Sequence, residues 1–208
     1  IVGDALKHFS IYHTHPAARR RGDRLFHEDR NLLLFYGNRL MQFPLAIVGI
    51  AMAIVVFPVF ARQAKAGKRA ELGDTLSTAL KNTFFLALPA AAGLLVLAGP
   101  LIALIYERGA FLQGDTDRTA MVLMMYSVGI PAYCGLQILT RLFYSLEEVR
   151  TPVKVGVYMV GANLVLNLAL VFPLGESGLA LATALSAGLN FAVLAVILGI
   201  ATMNRSER

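Results

Sequence analysis

Five stretches of this chain contain no Asp, Glu, Lys or Arg: Phe43 to Phe60, Asn82 to Ile105, Thr119 to Thr140, Val155 to Leu174 and Ser177 to Met203, of 18, 24, 22, 20 and 27 residues. A bilayer core about 30 Å thick is crossed by roughly 20 residues of helix at 1.5 Å each, so every stretch is long enough to span. The first must extend backward through its more polar start. Five soluble core helices of such length, each without an ionic face, would leave almost no surface for water. The composition agrees, being 57% hydrophobic and only 15% charged, with a mean hydropathy of +0.63. A soluble domain carries about 25% charged residues. The expected fold is therefore all-α, a polytopic membrane helix bundle, with spans near 43–60, 82–105, 119–140, 155–174 and 177–203.

The net charge of +6 could suggest nucleic acid or merely cytoplasmic loops, and its distribution separates the two. Residues 61–81 hold five Lys/Arg, 106–118 hold two, 141–154 hold three, 175–176 none, and the tail after Met203 two. This alternation follows the positive-inside rule and places the 61–81 loop, the 141–154 loop and the C-terminus in the cytoplasm. Nucleic acid is not an expected partner. Residues 1–30 oppose the pattern, because their six Lys/Arg, Arg19 to Arg21 among them, resist the translocation that an odd number of spans requires. They also lack an uncharged apolar core of signal-peptide length. They read as a basic, poorly ordered segment: authentically external, a cytoplasmic arm of a different topology, or unrelated to the membrane portion that follows from residue 31.

Chemistry is sparse in the spans. None bears an acidic residue or a histidine, so no acid/base pair, H-E-x-x-H motif or carboxylate–metal cluster lies within them. The four histidines, His8, His13, His15 and His27, precede the first span, and no cysteine accompanies them. The lone Cys134 excludes an intrachain disulfide and reads as a small buried hydrophobe. No catalytic residue, metal site or cofactor is expected, and the chain does not read as an enzyme. Any ion coupling would rest on groups elsewhere or on loop residues such as Glu107 and Asp117.

Polar residues concentrate where the first span begins. Asn38, Arg39 and Gln42 precede Pro44, and Arg39 and Gln42, three apart, share a helix face. Proline cannot donate to the residue four before it, so an opened turn is expected near Leu40 to Phe43. Arg39 either snorkels to the membrane surface or faces a wet cavity, where its rigid fork suits a phosphate. Pro89 and Pro100 interrupt the second run, Ala90 to Gly93 could admit a neighbouring helix closely, and Gly129-Ile130-Pro131 interrupts the third. Asn163 and Asn167, four apart, suit an interhelical hydrogen bond or the lining of a polar cavity. The run from Gly178 to Gly188 suits close helix packing.

Four strings in order carry a resemblance: YGNRLMQFP at 36–44, PVFARQAKAG, LPAAAGLLVLAGPLIALIYERGAF, and YSVGIPAYCGLQILTRLFYSLEEVRTPVK. Together they resemble the MviN/MurJ family within the multidrug/oligosaccharidyl-lipid/polysaccharide exporter superfamily, over roughly Leu34 to Gly199. The resemblance implies a partial exporter fold, corresponding to helices eight to twelve of a fourteen-helix, two-lobed flippase of the bacterial inner membrane. The first lobe and the last two helices have no counterpart here. It further implies alternating-access transport of the undecaprenyl-pyrophosphate-linked peptidoglycan precursor, lipid II, in cell-wall biosynthesis, with membrane lipids and the remainder of the transporter as partners. Arg39 matches a cavity arginine for the substrate's phosphates, with Asn38 and Gln42 as neighbours. Export of another polyprenyl-linked saccharide, or a truncated remnant without transport, are the alternatives.

Overall fold

The computed structural model describes residues 32–107 and 113–206, all of them in helices or in the short turns between helices. Helix α1 runs from Leu32 to Lys65, α2 from Arg69 to Tyr106, α3 from Gln113 to Val128, α4 from Ile130 to Ser145, and α5 from Arg150 to Ser206. The basic N-terminal segment expected at 1–30 lies outside the described residues.

The helices are longer than their apolar runs. Helix α2 has 38 residues, about 57 Å of helix, nearly twice the bilayer core. Residues 61–65 and 69–81, expected as loop, are helical, and the connection contracts to Ala66–Lys68, where Gly67 takes a positive φ of 68°. The reason is an amphipathic register: Leu72, Leu76, Ala79 and Leu80 recur at helical spacing and pack on Ala53, Val56 and Phe60 of α1. Charge on the opposite face of that extension, including Lys68 and Glu71 as an exposed pair 2.8 Å apart, costs nothing outside the membrane core.

Two glycines shape the rest. Gly175 adopts φ 59° and ψ −133°, a region that strongly disfavours side chains with a Cβ, and it breaks α5 into two arms. A straight helix would hold residues 23 apart at about 35 Å, yet Asn163 Nδ2 donates to Ser186 Oγ over 3.1 Å. The arms therefore fold back on each other, and Gly178 packs against the carbonyl of Leu170 across the reversal. Gly129 is the second, joining α3 to α4 at a bend of 42°. A Cβ on Gly129 would stand 2.8 Å from Ala184 Cβ, so α5 crosses the bend at backbone contact.

The bent α3–α4 pair forms the centre: α2 and α5 pack along both of its halves, and α1 packs on α4. Ile130, Cys134, Ile138, Leu139 and Leu142 of α4 are fully or almost fully buried there. Cys134 thus occupies the core position its surroundings suggest. Small residues set the other contacts: Ala87, Ala91 and Ala98 on α2, and Ala180, Ala182, Ala184 and Ala187 on the second arm of α5. Gly93, expected at a close contact, meets open space instead. The packing stripe of α2 runs through its alanines, seven and four residues apart, and Gly93 lies off that line. The outer surface is strongly apolar, with Phe43 69%, Phe85 77% and Phe172 87% exposed. A water-soluble monomer does not carry such continuous apolar surface.

The opened turn expected before Pro44 is displaced. Helix α1 continues through Pro44 and widens to π geometry over Leu45–Ile50, with the amide of Ala51 reaching back five residues to Ala46 O. The wide turn coincides with the point where α1 meets α4. There a Cβ on Gly49 would lie 3.1 Å from both Cys134 Cα and Sγ. A contact between distant segments, rather than the proline alone, coincides with the irregularity.

Candidate functional site

Helix α1 meets the bundle along Leu33, Gly37, Met41 and Val48, all buried. Gly37 is pressed so closely on α3 that a Cβ would stand 2.7 Å from Val122 Cγ1. Two residues further on, at 100° of rotation per residue, Arg39 lies on the side of the helix turned away from that contact. Arg39 and Gln42 are exposed and Asn38 is half-buried at the edge of the packed face. The structure thus brings Arg39 and Gln42 onto one outward face, while Asn38 sits on its flank. Among the described residues, Arg39 forms no ion pair with a carboxylate.

Its neighbours are aromatic. The guanidinium carbon of Arg39 lies 5.6 Å from the centroid of Phe35, one helical turn earlier. Phe35 meets Tyr36 edge-on at 5.8 Å and 71°, and Tyr36 rests on Tyr106 of α2 at 4.5 Å. This file of rings is inconspicuous in the sequence, although Phe35 stands four residues before Arg39, the spacing at which helical side chains meet. A second cation–π contact, Arg141 over Phe57 at 5.9 Å, ties the end of α4 to α1. Between α1 and α2, an open groove of about 320 Å³ is lined by Met52, Val56, Asp74, Thr75, Thr78 and Asn82.

Several of the remaining polar residues satisfy the backbone or one another, whereas Thr83 Oγ1, the Tyr133 hydroxyl and Asn190 Oδ1 are buried without a hydrogen-bond partner among the described residues. Ser127, Thr140 and Thr183 donate to carbonyls four residues back. Asn163 bonds Ser186 and receives a bond from Asn167 Nδ2 at 2.9 Å, so the asparagine pair serves the contact between the arms of α5. Glu107 accepts from Thr116 Oγ1 at 3.1 Å, and Arg118 pairs with Glu176 beside the Gly175 reversal. The expected trio therefore resolves into one outward cation, one outward amide and one flanking amide.

A family model described as "Lipid II flippase MurJ" matches residues 25–205 of this chain. The chain belongs to the MurJ family. Its match begins a few residues before the boundary near 30 that the motifs suggest. Among relatives named "Probable lipid II flippase MurJ", the Vibrio cholerae protein is 35% identical over 161 residues, covering 77% of this chain and 31% of that protein. The Rhizobium meliloti protein is 36% identical over 157 residues, covering 76% and 29%, and the Thermotoga maritima protein 30% over 154, covering 74% and 32%. A solved structure titled "Lipid II flippase MurJ, inward closed conformation" superposes with a TM-score of 0.74 at 26% identity, covering 82% of this chain and 36% of that one. The chain thus spans about a third of the length of the MurJ proteins it matches. It is a helical membrane protein built on part of the MurJ fold.

Proposed function

We propose that this chain forms part of a transporter that carries the undecaprenyl-pyrophosphate-linked peptidoglycan precursor across the bacterial inner membrane by alternating access, without covalent catalysis. Membership of the MurJ family supports the transport reading. Within it, Arg39 is the group that engages the substrate's pyrophosphate, with Gln42 beside it and Asn38 on the flank. The observation that carries this role is Arg39's position: on the helix face turned away from the bundle and unpaired with any described carboxylate. An arginine fork donates twice to adjacent phosphoryl oxygens, and a carboxylate neighbour would compete for those donors.

In the same reading the chain crosses the membrane five times, the third crossing being the bent α3–α4 pair and the last two the arms of α5. The Ala66–Lys68 turn, the α4–α5 turn and the C-terminus face the cytoplasm, as the Lys/Arg distribution favours. Groups beyond this stretch complete the substrate pathway.

The test places residues 32–200 in the corresponding stretch of a full-length relative and follows exposure of lipid II at the outer leaflet in cells depleted of other flippases. Arg39→Ala abolishes or greatly reduces flipping at normal membrane abundance, and Arg39→Lys recovers only part of it, because charge returns without the planar fork. Normal flipping by the Ala variant at normal abundance eliminates the role of Arg39.

A further inference from the structure

We infer that Phe35 is a positioning residue for Arg39, holding its guanidinium flat so that the edge N–H groups remain directed at a phosphoryl-rich anion. The inference rests on the anion-binding reading of Arg39 proposed above and adds the residue that would set its geometry.

The first observation is the pairing itself: the guanidinium carbon of Arg39 lies over the Phe35 ring, 5.6 Å from its centroid and within cation–π range, rather than beside an acidic group. A guanidinium interacts with an aromatic ring through its faces and with phosphate or carboxylate oxygens through its edges. Stacking on Phe35 therefore restricts the long side chain without consuming a donor or cancelling its charge. An acidic partner would do both.

The second observation concerns how Phe35 is held. Phe35 is 54% exposed, so the bundle interior does not fix it. Tyr36 contacts it edge-on, and Tyr36 in turn rests on Tyr106 at the end of α2. The file Arg39–Phe35–Tyr36–Tyr106 connects the cation to a second helix through ring contacts. Such pairs add stabilisation beyond their burial and leave few rotamers open. Arg39 is thereby oriented before any anion arrives, which lowers the ordering cost of binding.

The chain in detergent micelles, with arginine side chains labelled with ¹⁵N, tests this directly. Arg39→Lys identifies the Arg39 Nε–H resonance by its disappearance. In the unmodified chain that resonance is displaced upfield by the ring and moves on titration with inorganic pyrophosphate. Phe35→Leu returns it to the position of a free arginine and weakens pyrophosphate binding roughly three- to tenfold. Phe35→Trp retains binding and increases the upfield displacement, since indole is the better cation–π partner. Circular dichroism confirms equal helix content in all variants.

Unchanged pyrophosphate affinity in Phe35→Leu, whether or not the resonance moves, overturns the positioning role and leaves the anion-binding reading of Arg39 standing. Failure of pyrophosphate to move the Arg39 resonance in the unmodified chain refutes both. A loss of affinity in Phe35→Leu that is equally large when Arg39 is already Ala also overturns it, because the ring would then act independently of the cation.

Discussion

Replacing Gly129 by alanine tests whether close backbone approach at the α3–α4 bend holds the bundle together. The added methyl would lie 2.8 Å from Ala184 Cβ, 2.9 Å from Ala184 Cα and 2.8 Å from Tyr133 Cε2. Carbon atoms settle at about 3.5–4.0 Å, so α5 must withdraw from the bend by roughly 1 Å. The tyrosine ring can rotate aside, whereas the backbone of α5 cannot yield locally. Overpacking of this kind costs about 1–3 kcal/mol. In a membrane no water-driven burial compensates, because helix association there rests on packing and hydrogen bonds. Alanine elsewhere in a helix gains about 0.5–1 kcal/mol over glycine, and Gly188, whose Cβ would meet nothing within 4 Å, supplies that control. The assay is reversible unfolding of the chain in bicelles by SDS, followed by far-UV circular dichroism. The expected order is Gly188→Ala above the unmodified chain and Gly129→Ala below it by about 1–3 kcal/mol. Adding Ala184→Gly should return part of the loss, since one of the three clashing atoms is removed while Ala184 Cα remains. Stability of Gly129→Ala equal to that of Gly188→Ala would falsify the reasoning.

The Arg118–Glu176 pair, whose side chains are 44% and 12% exposed, fastens the start of α3 to the α5 reversal. A double-mutant cycle through Arg118→Ala and Glu176→Ala should give a coupling of at most about 1 kcal/mol that shrinks as salt rises, and a salt-independent coupling would contradict an ion pair partly open to water. For Asn163 and Ser186, joined at 3.1 Å, a cycle of Asn163→Val and Ser186→Ala should yield about 0.6 kcal/mol in bicelles; zero coupling would mean that the arms of α5 are held by packing alone. Single cysteines at Lys65 and Gly67 in a Cys134→Ser background should be inaccessible to membrane-impermeant maleimide in intact cells and labelled after lysis, and labelling from outside would reverse the proposed orientation.

Much of the candidate site could be read from the sequence, but its arrangement could not. Arg39 stands out because a cation beside an apolar run is conspicuous, and its three-residue spacing from Gln42 predicts their shared face. Phe35 does not stand out, since phenylalanine is common throughout this chain and only its ring lying beneath the Arg39 guanidinium gives it a role. The charged extension of α2 could also be found, because Leu72, Leu76 and Ala79 keep helical spacing among the charges. Counting those charges as loop concealed it.

By itself, the sequence determined that this is a membrane protein of long helices and where the chain reverses. Exclusion of ionic groups from hydrocarbon is a local and additive cost, legible residue by residue in the runs and in the polar turns between them. The sequence also determined the reversal near residue 175, because ProLeuGlyGlu interrupts an otherwise apolar stretch at a glycine that can take a positive φ. The tertiary structure decided which side of each helix is inside. In lipid an apolar residue is equally well solvated facing a neighbour or an acyl chain, so no alternation of polarity records the packed face, and the uncharged stretches of α2 and α5 carry no such signal. Only the meeting of the helices placed Ala184 on Gly129, set the widened turn of α1 beside Cys134 rather than before Pro44, and left Arg39 facing away from the bundle.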